Sequence, residues 1–292
     1  MNKKIGEIIE GAVPFQMFIN TLRGIFRYGV IDTIKLMARL RRERTTPPQH
    51  YLAVCAMAKN EGPYIEEWIE WHRKMGVEKF YFYDNESSDN TKEILAPYIE
   101  SGLVEYVFWT GRRQQFAIYE DCLEKHRLDA HWIAFIDLDE FIVPQKDKTI
   151  SEFLSRFEKF SAVEINWLIY GSGGAKKKEA GGVMERFKCH SNPNHALNRY
   201  IKTIVNPRRV VIMISAHKAA TIFGRTADSH GKTIRKNYKY RSPKQDVIRI
   251  NHYIVKSYEE FLEKSARGNA ISSKKLNREF FNRRDLNDIR EV

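Results

Sequence analysis

The sequence has 292 residues, 42% of them hydrophobic, which is enough to bury one large core. Its formal net charge of +12 predicts a polyanionic partner: nucleic acid, anionic lipid headgroups or a phosphorylated substrate. Three scattered cysteines, Cys55, Cys122 and Cys189, do not suggest a disulfide framework or a zinc site, and they are typical of a reducing cytoplasm. We expect neither a signal peptide nor a membrane-spanning helix, because no apolar run approaches roughly 20 residues.

Residues 1–46 differ in character from the rest of the chain. Apolar side chains recur there at near-helical spacing between lysines and arginines, which predicts two basic amphipathic helices with breaks near Pro14 and Gly29. Such helices lie on anionic membranes, but they also pack on a folded domain or on a second copy of the chain. Both interpretations stay open. Residues 45–48, Thr-Thr-Pro-Pro, are expected to form a linker.

From residue 51 onward, apolar runs alternate with segments of helical periodicity. We expect strands at 51–57, 77–83, 103–109 and 132–136, with helices at 64–75, from about 92, and at 114–128. This alternation predicts right-handed crossovers and a mainly parallel sheet flanked by helices. Asn60, Asp84 and Asp137 follow three of these strands, so we expect them at one edge of the sheet, where ligands bind in such folds.

An Asp-x-Asp-Glu sequence, residues 137–140, follows the last of these strands. In an extended backbone, Asp137 and Asp139 point to the same side and Glu140 to the other. Two carboxylates at the end of a buried strand suit a hard divalent cation that also binds phosphate oxygens. The alternative is an ordinary strand end with solvated acids, because the pattern is short and common.

Three segments in order resemble the signatures of family 2-like glycosyltransferases with the glycosyltransferase A fold, and more narrowly those of family 92: residues 54–61, 83–91 and 135–140. The resemblance continues through Trp167 and residues 170–174, 185–187, 202–207, 216–217, 250–253 and 256–268. It covers roughly residues 51–270. It implies an α/β fold with a Rossmann-like mixed sheet and a catalytic domain at 47–270. An amphipathic helical extension, 1–46, would precede this domain, and a basic helical tail, 271–292, would follow it.

The same resemblance implies inverting transfer of a sugar from a nucleotide-sugar donor, with a UDP-sugar expected, helped by Mn²⁺ or Mg²⁺. The residue matching Asp84 contacts the base in related enzymes, and the pair matching Asp137 and Asp139 holds the metal. The acceptor is expected to be a glycan or a lipid-linked molecule in surface polysaccharide or lipopolysaccharide synthesis. We expect a cytoplasmic protein at the inner face of the membrane, with peripheral contact through residues 1–46.

Other residues are assigned roles as expectations. Glu185, and after it Glu140, is the candidate base that deprotonates the acceptor hydroxyl. His252, and after it His217, is the candidate further metal ligand. The candidates for binding the nucleotide-sugar are Asn60, Asp84, Gln115, Asp137, Gly171 and Ser172. Each has a structural alternative: a salt bridge for Glu185, a hydrogen-bonded framework role for the histidines, a surface position for Gln115 and a plain flexible loop at the glycines.

Two other functions stay open. A nucleotidyl- or phosphotransferase would use the same fold, and a nucleic-acid-binding protein would use the basic segment 231–244, which interleaves lysines and arginines with Tyr238 and Tyr240. That segment would equally suit a lipid-linked phosphate or an anionic glycan. Acidic strand ends would repel a phosphate backbone unless metals intervened, so sugar transfer is the favoured hypothesis.

Overall fold

The computed structural model describes residues 12–43, 45–234, 237–267 and 276–291. The helices are α1 (Ala12–Tyr28), α2 (Val30–Glu43), α3 (Gly62–Lys74), α4 (Thr91–Glu100), α5 (Gln115–His126), α6 (Ile150–Leu154), α7 (Val183–Arg186), α8 (Tyr258–Arg267) and α9 (Arg278–Asn282). The strands are β1 (His50–Ala58), β2 (Lys79–Asp84), β3 (Val104–Phe108), β4 (Ala130–Phe135), β5 (Glu140–Pro144), β6 (Ala162–Ile169), β7 (Cys189–His190), β8 (Ile201–Val205), β9 (Val210–Ser215), β10 (Lys218–Thr221), β11 (Thr226–Asp228), β12 (Ile248–His252) and β13 (Ile289–Arg290).

A mixed sheet forms the centre of the molecule. Within the described ranges its order is β3-β2-β1-β4-β8-β6-β12-β5, with β11 beside β6. Strands β1 to β4 pair in parallel, β8 runs antiparallel to both β4 and β6, and β12 is parallel to β6 but antiparallel to β5. The prediction of a mixed, mainly parallel sheet flanked by helices is therefore confirmed. The sequence patterns had assigned its first four strands.

Strand β1 shows why the apolar runs are almost uninterrupted. Leu52 and Val54 pack with Trp68 of α3 on one side of the sheet. The residues between them, including Cys55, pack with Cys122 of α5 on the other side. Because helices cover both faces, every residue of such a strand is buried, which removes the alternation of a half-exposed strand.

The two amino-terminal helices pack on the α/β domain. The predicted break at Gly29 is present, with φ of +86°. Pro14 lies in the first turn of α1, where a proline has no intrahelical N–H bond to lose. The residues before Ala12 lie outside the described part of the chain, so the break near Pro14 stays a prediction. Leu40 packs with Val211 and Ile222 of the domain. One face of this hairpin is therefore buried, as the packing interpretation requires.

The carboxyl-terminal segment also lies against the domain. Of the tail that we predicted to be helical, residues 276–291 contain the five-residue helix α9 and the two-residue strand β13, which pairs with β7. The Asp285 carboxylate accepts a hydrogen bond from Ser172 N at 2.6 Å, and Asn287 Oδ1 accepts one from Gly173 N at 2.7 Å. This segment therefore covers the glycine-rich loop of residues 171–174.

Gly24 tests the docking of the hairpin. A Cβ at this position would lie 2.9 Å from Val211 Cγ1 and 3.0 Å from Thr33 Cγ2. We expect Gly24→Leu to lower the free energy of unfolding by about 1–3 kcal/mol and to speed amide exchange in α1 and α2, because the close approach cannot relax. Ala38→Leu, at an exposed position of α2, is the matched control. Exchange in Gly24→Leu as slow as in the native protein would contradict this packing.

Candidate active site

An open pocket of about 330 Å³ lies beyond the carboxyl ends of β1 and β2. One wall follows β1 and runs from Asn60 to Tyr64, and a second is the loop 88–90 after β2. The third wall is one face of α8, which presents Glu260, Glu263, Lys264 and Arg267 at helical spacing. The pocket thus lies where we predicted the ligand site, at the edge of the sheet formed by the carboxyl ends of the parallel strands.

The Asp-x-Asp segment beside this pocket is a turn. β4 ends at Phe135, and Glu140 N donates to Asp137 O at 3.1 Å to close the turn. The Glu140 carboxylate folds back and accepts a hydrogen bond from Asp137 N at 2.9 Å. The expectation of an extended backbone with both aspartates on one side was therefore wrong, because the chain reverses here to enter β5.

Asp137 is held by two polar side chains. Its Oδ1 accepts a hydrogen bond from Gln115 Nε2 at 3.1 Å, and its Oδ2 lies 2.8 Å from Lys202 Nζ. Burial alone would lower the pKa of Lys202, but Asp137 and Glu140 hold it well above its ordinary value. Lys202 therefore carries its positive charge inside the protein, beneath the turn. The contact between Gln115 and Asp137 was not predicted, and the role of Gln115 in donor binding stays a prediction.

Glu140, the second candidate base, is enclosed by protein. Its Oε2 lies 3.3 Å from Lys202 Nζ, and in the described part of the chain its Oε1 has no hydrogen-bond partner. Burial raises the pKa of Glu140 to about 8, against the opposing effect of Lys202. Its contacts orient the turn, and these contacts favour a positioning role over direct contact with an acceptor.

Asp139 contacts a histidine and a lysine. Its Oδ1 is 3.5 Å from His252 Nε2, and its Oδ2 is 2.5 Å from Lys264 Nζ. Burial alone would raise the pKa of Asp139, but Lys264 and His252 hold it well below its ordinary value. Burial lowers the pKa of His252, which favours a neutral ring. His217 places its Nδ1 2.9 Å from Ile201 O, and burial and Lys202 lower its pKa to about 4 against the opposing effect of Asp137. Its role as a metal ligand stays a prediction.

The donor set of Asp139 and His252 fits a divalent cation. Two ligands of one octahedral ion lie roughly 3 Å apart, close to the observed 3.5 Å, and a neutral imidazole nitrogen can bind a metal. Among the residues that the structure describes, no group of three or more His, Cys, Asp or Glu side chains is placed to hold an ion alone. Water and substrate phosphate oxygens would complete the coordination, as is usual for Mg²⁺.

Asn60 and Asp84 organise the walls of the pocket. Asn60, at φ of +54°, accepts a hydrogen bond from Ser88 N through its Oδ1 at 2.7 Å. Asp84 is buried behind the same loop, where its oxygens accept hydrogen bonds from Ser87 N at 2.9 Å and from Tyr106 Oη at 2.7 Å. Asn60 therefore lines the pocket, and Asp84 shapes the loop that lines it. Their contacts with a nucleotide stay a prediction.

Gly171, Ser172 and Glu185 lie outside the lining of this pocket. A Cβ at Gly171 would be 2.5 Å from Leu286 O, so close approach of the chain's own carboxyl-terminal segment explains the glycine. Glu185 is exposed on α7, a short helix whose first N–H groups donate to the carboxylate of Glu67. Their roles in donor binding and as the base stay predictions.

The sequence analysis assigned no role to four cations near the site: Lys202, Lys256, Lys264 and Arg267. Lys202 is a lone charge in an apolar strand, which is a signal for a buried ionic partner. Lys264 and Arg267 are three residues apart in a helix, so they share a face. Arg267 forms an ion pair with Glu61 and donates to Asn60 O, which joins α8 to the wall after β1.

The sheet order defines an α/β protein with a mixed, mainly parallel sheet, and the pocket and the acidic turn lie at one edge of that sheet. The chain belongs to glycosyltransferase family 92, whose family model matches residues 50–283. This finding confirms the resemblance of the sequence motifs.

Three relatives with known names are similar to this chain over more than half of its length. A glycosyltransferase family 92 protein of Oryza sativa subsp. japonica is 24% identical over 74% of this chain and 35% of its own length. The galactan beta-1,4-galactosyltransferase GALS2 of Arabidopsis thaliana is 32% identical over 56% of this chain and 34% of its own length. The beta-1,4-galactosyltransferase galt-1 of Caenorhabditis elegans is 25% identical over 82% and 58%. The chain thus spans between about a third and three-fifths of these relatives.

Among solved structures, S. aureus TarS 1-349 in complex with UDP-GlcNAc is 15% identical to this chain, with a TM-score of 0.38. The superposition covers 65% of this chain and 61% of that one.

The Glu260 carboxylate makes the stability of the protein depend on pH in the acid range. It lies 2.8 Å from Arg186 and accepts hydrogen bonds from Tyr64 Oη at 2.9 Å and Ser257 Oγ at 2.6 Å. Burial alone would raise the pKa of Glu260, but these partners lower it from 4.5 to about 2. Because the folded pKa is the lower one, this stabilisation is present above pH 4.5 and is lost as the pH falls towards 2.

We therefore expect Glu260→Gln to lower the free energy of unfolding at neutral pH by roughly 1–3 kcal/mol. The difference from the native protein should shrink as the pH approaches 2, because the native carboxylate then also loses its charge. Urea unfolding at a series of pH values measures this, with Glu66→Gln, at an exposed position, as the control. A difference that is independent of pH would contradict the assignment of the network to the ionised carboxylate.

Proposed function

We propose that this chain transfers a sugar with inversion from a nucleotide-sugar donor to a glycan or lipid-linked acceptor, with Mn²⁺ or Mg²⁺ bound at Asp139 and His252. The observation that carries the proposal is the position of Asp139 beside His252, next to the cation-lined pocket at the edge of the sheet. Membership of family 92 and relatives named as galactosyltransferases support sugar transfer and make UDP-galactose the first donor to test.

The site residues suit the charge changes of this reaction. The leaving diphosphate gains negative charge in the transition state, and a bound divalent cation would act on it as a Lewis acid. Lys264 lines the pocket and is a cation placed to meet this charge. We keep Glu185 as the proposed base, because it is solvent-exposed and so free to meet an acceptor, and Glu140 as a residue that fixes the Asp-x-Asp turn.

Asp139→Asn tests the proposal. The amide keeps the shape of the side chain but loses the charge that would bind the cation. We expect UDP release from UDP-galactose in the presence of acceptors to fall about 100-fold or more, and the Mn²⁺-dependent thermal shift with UDP to disappear. Asp246→Asn, a surface aspartate paired with Lys146, is the control.

Circular dichroism would show whether Asp139→Asn is folded. A folded Asp139→Asn that transfers sugar like the native protein would refute the cation site. Release of pyrophosphate instead of UDP would favour the nucleotidyltransferase alternative.

We further propose that the α1–α2 hairpin contacts an anionic membrane, which would place the protein at the inner face of the cytoplasmic membrane near a lipid-linked acceptor of surface polysaccharide or lipopolysaccharide synthesis. The face turned away from the domain exposes Phe18, Leu22 and Phe26 at every fourth position of α1 and Val30, Ile31 and Ile34 on α2. Phe26 is 96% exposed. Arg23, Lys35, Arg41 and Arg42 are exposed on the same two helices, and a cationic, apolar surface fits anionic lipid.

No described helix is both long and apolar enough to span a bilayer, so the proposed contact is peripheral.

Phe26→Ser with Ile31→Ser should weaken binding to vesicles of phosphatidylglycerol and phosphatidylcholine by about tenfold or more per residue, because each substitution removes apolar area from the contact. Phe108→Ser, at a side chain that is 58% exposed elsewhere on the surface, is the control. Co-sedimentation of the double variant at the native level would contradict the membrane contact. Loss of a dimer in solution instead would support the second-copy interpretation.

A further inference from the structure

Lys264 lies against one oxygen of Asp139, the carboxylate whose other oxygen faces His252. Its ammonium group is 2.5 Å from Asp139 Oδ2 and donates to Ile254 O at 3.0 Å. Asp139 is otherwise buried against His252, whose Nε2 is 3.5 Å from Oδ1. A lysine and a divalent cation cannot both sit against the same carboxylate without strong repulsion, so the two compete for Asp139.

A second lysine in the same pocket is a buried cation with no ion pair in the described part of the chain. Lys256 is 4% exposed and holds its Nζ 4.0 Å above the ring of Tyr64. Its φ is +55°, a strained value for a residue other than glycine. The nearby carboxylates have other partners, since Glu260 pairs with Arg186 and Glu61 with Arg267. The lining also contains the acids Asp89 and Glu263, but in the described ranges no carboxylate forms an ion pair with Lys256, and a buried cation of this kind suits an anionic ligand.

We propose that Lys264 is an exchangeable counterion: it neutralises Asp139 in the free protein, leaves Asp139 when a divalent cation binds there, and then joins Lys256 in binding the diphosphate of the donor. This inference rests on the proposed cation and donor. The long, flexible stem of a lysine lets its ammonium group move by several ångströms while the helix backbone stays in place.

The movement of Lys264 from Asp139 to the diphosphate couples the binding of the divalent cation to the binding of the nucleotide. Without nucleotide, a divalent cation has to compete with Lys264 for Asp139, so it binds weakly. With nucleotide, the released ammonium group gains a phosphate partner, which offsets the loss of Asp139. Each ligand therefore raises the affinity of the other by the same factor. The arrangement also keeps Asp139 neutralised when the site is empty, which avoids an unpaired buried charge.

The test is a Mn²⁺ titration by calorimetry, without nucleotide, of the native protein, Lys264→Met and Lys146→Met. Lys146 is an exposed lysine paired with Asp246, so its variant controls for the loss of one positive charge. We expect Lys264→Met to bind Mn²⁺ about tenfold more tightly than the native protein, because the competitor for Asp139 is gone. Lys146→Met should bind like the native protein.

A second titration measures UDP in saturating Mn²⁺. We expect Lys264→Met and Lys256→Met each to bind UDP about tenfold more weakly, while Lys256→Met binds Mn²⁺ alone like the native protein. Lys264→Gln repeats the measurement if the methionine variant does not fold.

Equal or weaker Mn²⁺ binding by the folded Lys264 variants would overturn the exchange, even if the native protein transfers sugar. If the native protein binds no nucleotide, the proposed function fails. The first titration would then still decide whether Lys264 competes for Asp139.

Discussion

The pairing of each buried carboxylate after β4 with a lysine from a distant part of the chain is the constraint on which the site depends. Three acids lie within four residues, and their mutual repulsion in a poorly solvated site would be large. Lys202 on β8 neutralises the Asp137 and Glu140 side, and Lys264 on α8 neutralises Asp139. Removing Lys264 would leave the buried Asp139 carboxylate without its lysine, and the loss of a buried ionic partner typically costs about 3–5 kcal/mol.

The need for a lysine beside these carboxylates explains the arrangement of the strands that follow β5. β8 runs antiparallel between β4 and β6, and this insertion brings Lys202 beneath the acidic turn. The antiparallel pairing of β12 with β5 sets His252 opposite Glu140, which directs the histidine to the neighbouring Asp139. α8 then follows β12 and returns Lys264 to the same carboxylate. Later strands and a helix thus complete a site that the first four strands only begin.

The sequence predicts the first four strands and their helices well, because the patterns that indicate them are local. Unbroken apolar runs and helical periodicity between residues 51 and 136 predict strands and helices that the structure contains, and the family motifs predict the meeting of His252 with the aspartates. The turn at Leu138 and Asp139 could not be predicted, because it depends on the pairing of β5 with a strand about a hundred residues away. Lys264 looks like an ordinary surface charge in a basic chain, and Lys202, although it is a lone charge in an apolar strand, does not reveal its partner in the sequence. The close approach of Leu286 to Gly171 could not be predicted either, and the role of Gly171 in donor binding stays a prediction.

The excess of positive charge has different consequences in different places. In the basic segment 231–244, Arg241 pairs with the buried Glu164 and Lys244 with Asp228, so these two cations hold the segment on the domain and are not free for a polyanion. That pairing weakens the nucleic-acid hypothesis, which rested on this segment. The cations of the pocket differ, because Lys256 has no ion pair in the described ranges and Lys264 shares its carboxylate with a proposed metal site. A charge that is already matched by a permanent partner stabilises the fold, whereas one that is unmatched or exchangeable is available to a ligand. On this physical ground the diphosphate of a donor is the polyanion that the site suits best.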